Sequence, residues 1–280
     1  MKKNLVRCFI AALSLTALQS QAQITPQPSS SQTIVQGFGL GKITLVYSRP
    51  NVKGRKIFGG MEAYGTVWRT GANSATELKF SDDVIIDGKK VPAGDYGLFS
   101  IPGKDEWTII ISKKPQQWGA YTYKESDDLM RFTVKTDKLK DLTETMTLDF
   151  VNVTPTTCDL QMKWEHSGFA FHIVTDVDAK VMARIDSAMA TEKKPYYEAI
   201  IYYYNNNKDL SKALPWATEL EKMKGMPPYV AKLWKARVQL KTGDKAGALT
   251  TAQEGVKAAE AGKSDEYVRL NNEVIAQAKK

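Results

Sequence analysis

"DLQMKWEHSGFAFHIV", residues 159–174, decides how this chain is read. Leu160, Met162 and Trp164 alternate with Asp159, Gln161 and Lys163, and Phe169, Phe171 and Ile173 again take every second place. Successive side chains on a strand point to opposite faces, so a period of two marks strands with one apolar face. The Ser167-Gly168 pair between the two runs predicts a reversal of the chain.

The same period extends outward over about residues 34–175. Ile43, Leu45 and Tyr47 alternate in "KITLVYS", and Trp107, Ile109 and Ile111 in "EWTIIIS". Phe132 and Val134, then Met146, Leu148 and Phe150, repeat the pattern. Asp87-Gly88 is a hairpin signal, and Pro92-Ala93-Gly94 and Pro102-Gly103 mark further turns. No helix-length crossover interrupts the series, which argues against a parallel sheet. The expectation is a mainly β domain of eight or nine strands, an antiparallel sandwich or barrel-like fold, over residues 34–175.

The texture changes near Asp176. Val181, Ile185, Ala188 and Met189 fall at helical spacing, and from Pro195 onward the chain reads as helices broken at Pro227-Pro228 and Gly243-Asp244. Asp209, Ala213, Ala217 and Glu219 recur 35 residues later as Asp244, Ala248, Ala252 and Glu254. Small residues four apart let paired helices approach closely. Residues 178–280 therefore read as an all-α tail of helical hairpins, either tetratricopeptide-like or an ordinary alanine-seamed stack.

Lys2, Lys3 and Arg7 precede an apolar run from Cys8 to Leu18, and Ser20-Gln21-Ala22 supplies small residues at a cleavage site. Residues 1–22 thus read as a signal peptide cut after Ala22, which makes the protein exported, periplasmic or secreted. Its removal lowers the net charge from +8 to +5 and leaves Cys158 as the single cysteine, so no internal disulfide is available. Residues 23–33, "QITPQPSSSQT", read as a flexible leader. No membrane span is expected in the mature chain.

"YSRPNVKGRKIFGG" (47–60), "YGTVWRTGANSAT" (64–76), "VPAGDYGLFSIPG" (91–103), "EWTIIIS" (106–112) and "WGAY" (118–121) together resemble the domain of unknown function 2911, a family found mainly in exported proteins of Bacteroidota. The resemblance covers about residues 40–175. It implies an exported bacterial context and carries over no reaction and no catalytic residue.

Chemistry is concentrated in two of these segments. Arg49, Lys53, Arg55, Lys56 and Arg69 face one acid, Glu62, between residues 47 and 73, a local charge of +4 out of +5 for the mature chain. Arginine forks and glycine-exposed amides suit an anion. The expected site is a ligand-binding loop cluster of Arg49, Lys53, Arg55, Tyr64, Trp68, Arg69, Asn73 and Trp118, holding an anionic or carbohydrate-like small molecule. The competing reading has the arginines bracing loop carbonyls and Trp68 plugging the core. Two further possibilities remain open: a glycan hydrolase using Glu62, and an assembly protein holding a protein partner through its helical tail.

No cofactor, no metal and no nucleic-acid partner is expected. His166 and His172 flank the Ser167-Gly168 turn without an obvious carboxylate and make a poor metal site. Asp82-Asp83 and Asp127-Asp128 read as turn carboxylates. "GFGLG" (37–41) opens a strand and not a helix, so it is no nucleotide loop.

Overall fold

The computed structural model describes residues 25–280. The expected signal peptide lies outside the described residues. The described chain forms two compact units that divide between Val177 and Asp178.

The first unit is an antiparallel β sandwich. One sheet has six strands in the order β1-β2-β3-β6-β7-β8, and the other has four in the order β5-β4-β10-β9. The strands run β1 Ser30–Phe38, β2 Gly41–Arg49, β3 Thr76–Phe80, β4 Val84–Ile86, β5 Lys89–Val91, β6 Gly94–Ile101, β7 Glu106–Ser112, β8 Asp128–Lys135, β9 Asp137–Val151 and β10 Thr157–Val174. All eight pairings between these strands, among the described residues, are antiparallel. Neither sheet closes on itself, so the fold is a sandwich and not a barrel.

The alternating residues meet between the sheets. Leu45, Leu78, Leu98 and Ile109 from the six-stranded sheet pack in one core with Leu148, Leu160, Met162, Trp164 and Ile173 from the other. Asp87 and Gly88 both have positive φ, 50° and 70°, as the two-residue hairpin between β4 and β5 requires. The "GFGLG" segment is the turn between β1 and β2, with Phe38 opposite Gly41. Cys158 is fully buried, and burial pushes its thiol up to about 12, so it is an inert core residue.

Two expectations change. Part of the predicted leader is structure: β1 starts at Ser30 and pairs with β2 over its whole length, from Ser30↔Arg49 to Phe38↔Gly41. Ser167-Gly168 does not end a strand. β10 continues through it, and the register with β9 shifts between Lys163 and Glu165 and again between Glu165 and Ser167. His166 and His172 therefore share one strand and do not face each other across a hairpin. His172 also has the carboxylate partner that its sequence neighbours do not show: its Nδ1 lies 2.5 Å from Asp159 Oδ1. Burial pushes the Asp159 carboxyl upward, but hydrogen bonds from Asn152 and His172 hold it below the usual range. Among the described residues no group of three or more His, Cys, Asp or Glu is arranged to hold a metal.

The acid pairs are structural. Asp83 accepts from Ala93 N at 2.9 Å and meets Lys90 at 2.8 Å. Asp128 accepts from Arg131 and from Tyr123, a knot that pins the loop after β7. Burial and that carboxylate push the Tyr123 hydroxyl up to about 12.

The second unit is a run of six helices: α1 Asp178–Met189, α2 Tyr196–Asn205, α3 Leu210–Leu220, α4 Pro228–Lys241, α5 Lys245–Ala261 and α6 Asp265–Ala278. The 35-residue recurrence has a physical counterpart. Asp209 caps α3 by accepting from Ser211 N, and Asp244 caps α5 by accepting from Gly247 N. Ala213, Ala217, Ala248 and Ala252 are all fully buried at helix seams. No helix among the described residues is long and apolar enough to cross a membrane.

Candidate functional site: a cationic cleft between two loops

The long connection from β2 to β3 carries both basic segments, and distant strands hold it in place. Its first part runs beside β9: Met146 N donates to Pro50 O at 2.8 Å, and Val52 N donates to Glu144 O at 2.8 Å. The Glu144 carboxylate accepts from Lys53 N at 2.9 Å. The next turn hangs on β10, where Glu165 Oε1 accepts from Ile57 N at 3.1 Å. The turn then closes on itself, with Glu62 N donating to Ile57 O and Gly59 N to Glu62 O. Gly60 is required there, because a Cβ would overlap Lys56 O.

The last part, "VWRTGANSAT" (67–76), is tied to β6. Trp68 and Ser100 exchange backbone hydrogen bonds at 2.7 and 2.9 Å. Trp68 points into the core: its indole stacks on Trp164 at 5.8 Å and meets Phe58 at 5.8 Å, and its Nε1 donates to Gly71 O at 3.1 Å. Thr70 is fully buried with φ 50°, an uncommon conformation for a β-branched residue. Its hydroxyl lies 2.8 Å from Ser100 Oγ, and its carbonyl accepts from Thr76 Oγ1 at 2.7 Å. Lys53 and Asn73 also have positive φ, 49° and 58°. Three non-glycine residues in αL thus sit in these loops, a kind of local strain that persists where the surroundings over-determine it.

The two basic segments converge. They enclose a cleft of about 360 Å³ whose wall includes Lys53, Arg55, Glu62, Arg69 and Asn73. Ser29, from the stretch predicted to be leader, completes it, and Ser29 O accepts from Asn73 Nδ2 at 3.2 Å. The cations in this wall differ in what they have left to offer. Arg55 is committed to its own turn, donating to Val52 O, Asn51 O and Met61 Sδ. Arg69 is not: its Nε is shut off from solvent and has no hydrogen-bond partner among the described residues. Neither Arg69 nor Lys53 nor Glu62 forms a salt bridge among the described residues.

Four predicted contacts lie outside the cleft. Arg49 braces the sandwich, donating from Nε to Met146 O at 3.0 Å and from Nη2 to Thr147 Oγ1 at 3.1 Å. Trp68 is a core plug and not a ligand platform. Tyr64 is exposed and covers Gly59, where a Cβ would overlap its ring. Trp118 is 66 % exposed on the loop after β7, bridged to Ser74.

Glu62 is the cleft's one carboxylate among the described lining residues. Burial raises its carboxyl above the usual range, and the Arg69 and Arg55 charges counter this only in part. A carboxyl whose folded-state value is raised contributes stability that is complete below its unfolded-state value and lost as pH rises through the folded one. Glu62→Gln should therefore melt higher than the wild type at pH 7, and the gain should shrink away as pH falls to about 4. Melting curves of both proteins at the two pH values check this. A less stable variant at pH 7 would mean that the arginines outweigh burial.

A wider open groove of about 990 Å³ follows the α1–α2 connection past Tyr196, Met223 and Met226. Among the described residues it holds no buried polar atom without a partner, so the smaller cleft is the chemically marked one.

The fold and this site define a β-sandwich protein with a cationic loop cleft and a separate helical unit. A family model described as "Protein of unknown function (DUF2911)" matches residues 29–173, and the chain belongs to that family. No curated protein and no solved structure matches the chain.

Proposed function

We propose that the protein is an exported binding module whose cleft takes a small anionic ligand, with Arg69 and Lys53 as the direct contacts and Asn73 as a polar wall. The Arg69 guanidinium, which lines the cleft and makes no hydrogen bond or salt bridge among the described residues, is the observation that carries this reading. The guanidinium's remaining N–H groups have no acceptor among the described residues, and an incoming carboxylate or phosphate supplies one. A volume near 360 Å³ stands at the lower end of small-molecule sites, which suits a metabolite or the end of a larger chain. A purely sugar-like ligand loses support, because Trp68 lies in the core. The Bacteroidota context and a tetratricopeptide-like, partner-holding role for the helical unit belong to the same proposal. The export signal rests on residues 1–22, and the partner role on the repeated Asp209 and Asp244 caps. A glycan hydrolase of the paired-carboxylate kind is disfavoured, since Glu62 has no second carboxylate in the described cleft wall.

The test is a thermal-shift and calorimetric titration with inorganic phosphate, acetate, citrate and gluconate. A bound anion raises the melting temperature by mass action. Arg69→Ala should weaken binding by about 10- to 100-fold, the value of a charge-assisted hydrogen bond. Arg49→Ala should lower the baseline stability and keep the ligand-induced shift. A shift that survives Arg69→Ala overturns the site.

A further inference from the structure

We propose that Glu62 makes the cleft selective for a carboxylate bearing a hydrogen-bond donor, a hydroxy or amino group, beside its anionic group. This rests on the anion-binding reading and names the ligand class of the same site.

Three polar groups in the cleft wall have capacity to spare: the Arg69 guanidinium, the Lys53 ammonium and the Glu62 carboxylate. Arg55 has spent its donors on Val52, Asn51 and Met61. Glu62 cannot swing away with its backbone, because its N–H is bonded to Ile57 O, its C=O accepts from Gly59 N, and it bridges Phe58. Its carboxylate accepts no hydrogen bond among the described residues and is partly withdrawn from water.

A simple anion entering beside Arg69 would leave that carboxylate without a donor and would add a second negative charge near it. Both effects oppose binding. A ligand with a hydroxyl or ammonium next to its carboxylate satisfies Arg69 with one group and Glu62 with the other. Sites built around an unmet polar group reject analogues that lack the matching group far more strongly than apolar pockets reject a missing methylene. The cleft's basic side chains, Lys53, Arg55 and Arg69, outnumber Glu62, so the ligand's net charge remains negative or zero.

The experiment compares acids that differ in one group, by calorimetry at pH 7. Propionate, lactate and alanine form one set, and succinate and malate a second. Wild type, Glu62→Gln, Arg69→Ala and Arg69→Lys are titrated. In the wild type lactate or alanine should bind about tenfold tighter than propionate, and malate tighter than succinate by a similar factor. In Glu62→Gln the preference should fall below about threefold, chiefly because propionate and succinate bind better. Both Arg69 variants should weaken every acid, with Arg69→Lys keeping the fold if Arg69→Ala does not. Equal binding of propionate and lactate by the wild type, or a preference that survives Glu62→Gln, overturns the selectivity and leaves the anion site standing. No binding of any of these acids up to about 10 mM overturns both.

Discussion

Trp68→Ala is expected to destabilise the β unit by about 3–5 kcal/mol, the range for removing a large buried aromatic. For a unit of this size that lowers the melting temperature by roughly ten degrees. The cost follows from what surrounds the indole. Trp68 is 2 % exposed and stands among Phe58, Trp107 and Trp164, with ring centroids at 5.8, 6.2 and 5.8 Å. Trp107 comes from one sheet and Trp164 from the other, so the plug bridges the two layers. Alanine leaves a void that two sheets, each fixed by its own ladder, cannot close. It also frees Gly71 O from its indole donor at 3.1 Å. Trp68→Phe should retain much of the stability. Arg69 follows Trp68 directly, so the alanine variant should lose cleft affinity together with stability. Thermal unfolding followed by near-ultraviolet circular dichroism measures the first effect. A shift under about two degrees would mean that the indole is not buried between the sheets.

Sequence periodicity carried most of this architecture because each strand buries one face. Leu160, Met162 and Trp164 read inward for the same reason that they are fully buried. The start of β1 carries no strand signal, because Ser30, Ser31, Gln32 and Thr33 have no apolar alternation and are extended through pairing with Tyr47, Ser48 and their neighbours. The site was legible as charge and not as geometry. Clustered cations located Lys53, Arg55 and Arg69. Arg49 carried a readable counter-signal, since it shares parity with Ile43, Leu45 and Tyr47 and so turns toward the opposite sheet, where Met146 and Thr147 receive it. Trp68 lies outside any alternation and had no parity to read. Glu144 and Glu165, which hold the cleft loops from 91 and 108 residues away, stand in no motif and are supplied only by the folded chain.

Gly168→Ala is expected to destabilise the sandwich and to loosen the cleft loop with it. Met162 and Gly168 belong to the same strand and would be about 20 Å apart if it were straight. Instead a Cβ on Gly168 would overlap Met162 O, so the chain between them pinches back on itself within β10. The Ser167-Gly168 signal in the sequence is thus a real change of direction, absorbed within a continuous strand where the register with β9 shifts and not as a hairpin turn. The obstacle is backbone and not a side-chain tip, and it cannot rotate away. The expected cost is about 1–3 kcal/mol, or more if β9 must shift its register. The consequence reaches the cleft, because Glu165 lies inside the pinch at φ 57° and its carboxylate holds Ile57 N. Opening the pinch should free the turn that carries Glu62. Hydrogen exchange should therefore rise at Ile57 and Glu62 in Gly168→Ala, alongside the lower melting temperature. A destabilised variant with unchanged exchange at those two amides would show that the pinch and the cleft loop are mechanically separate.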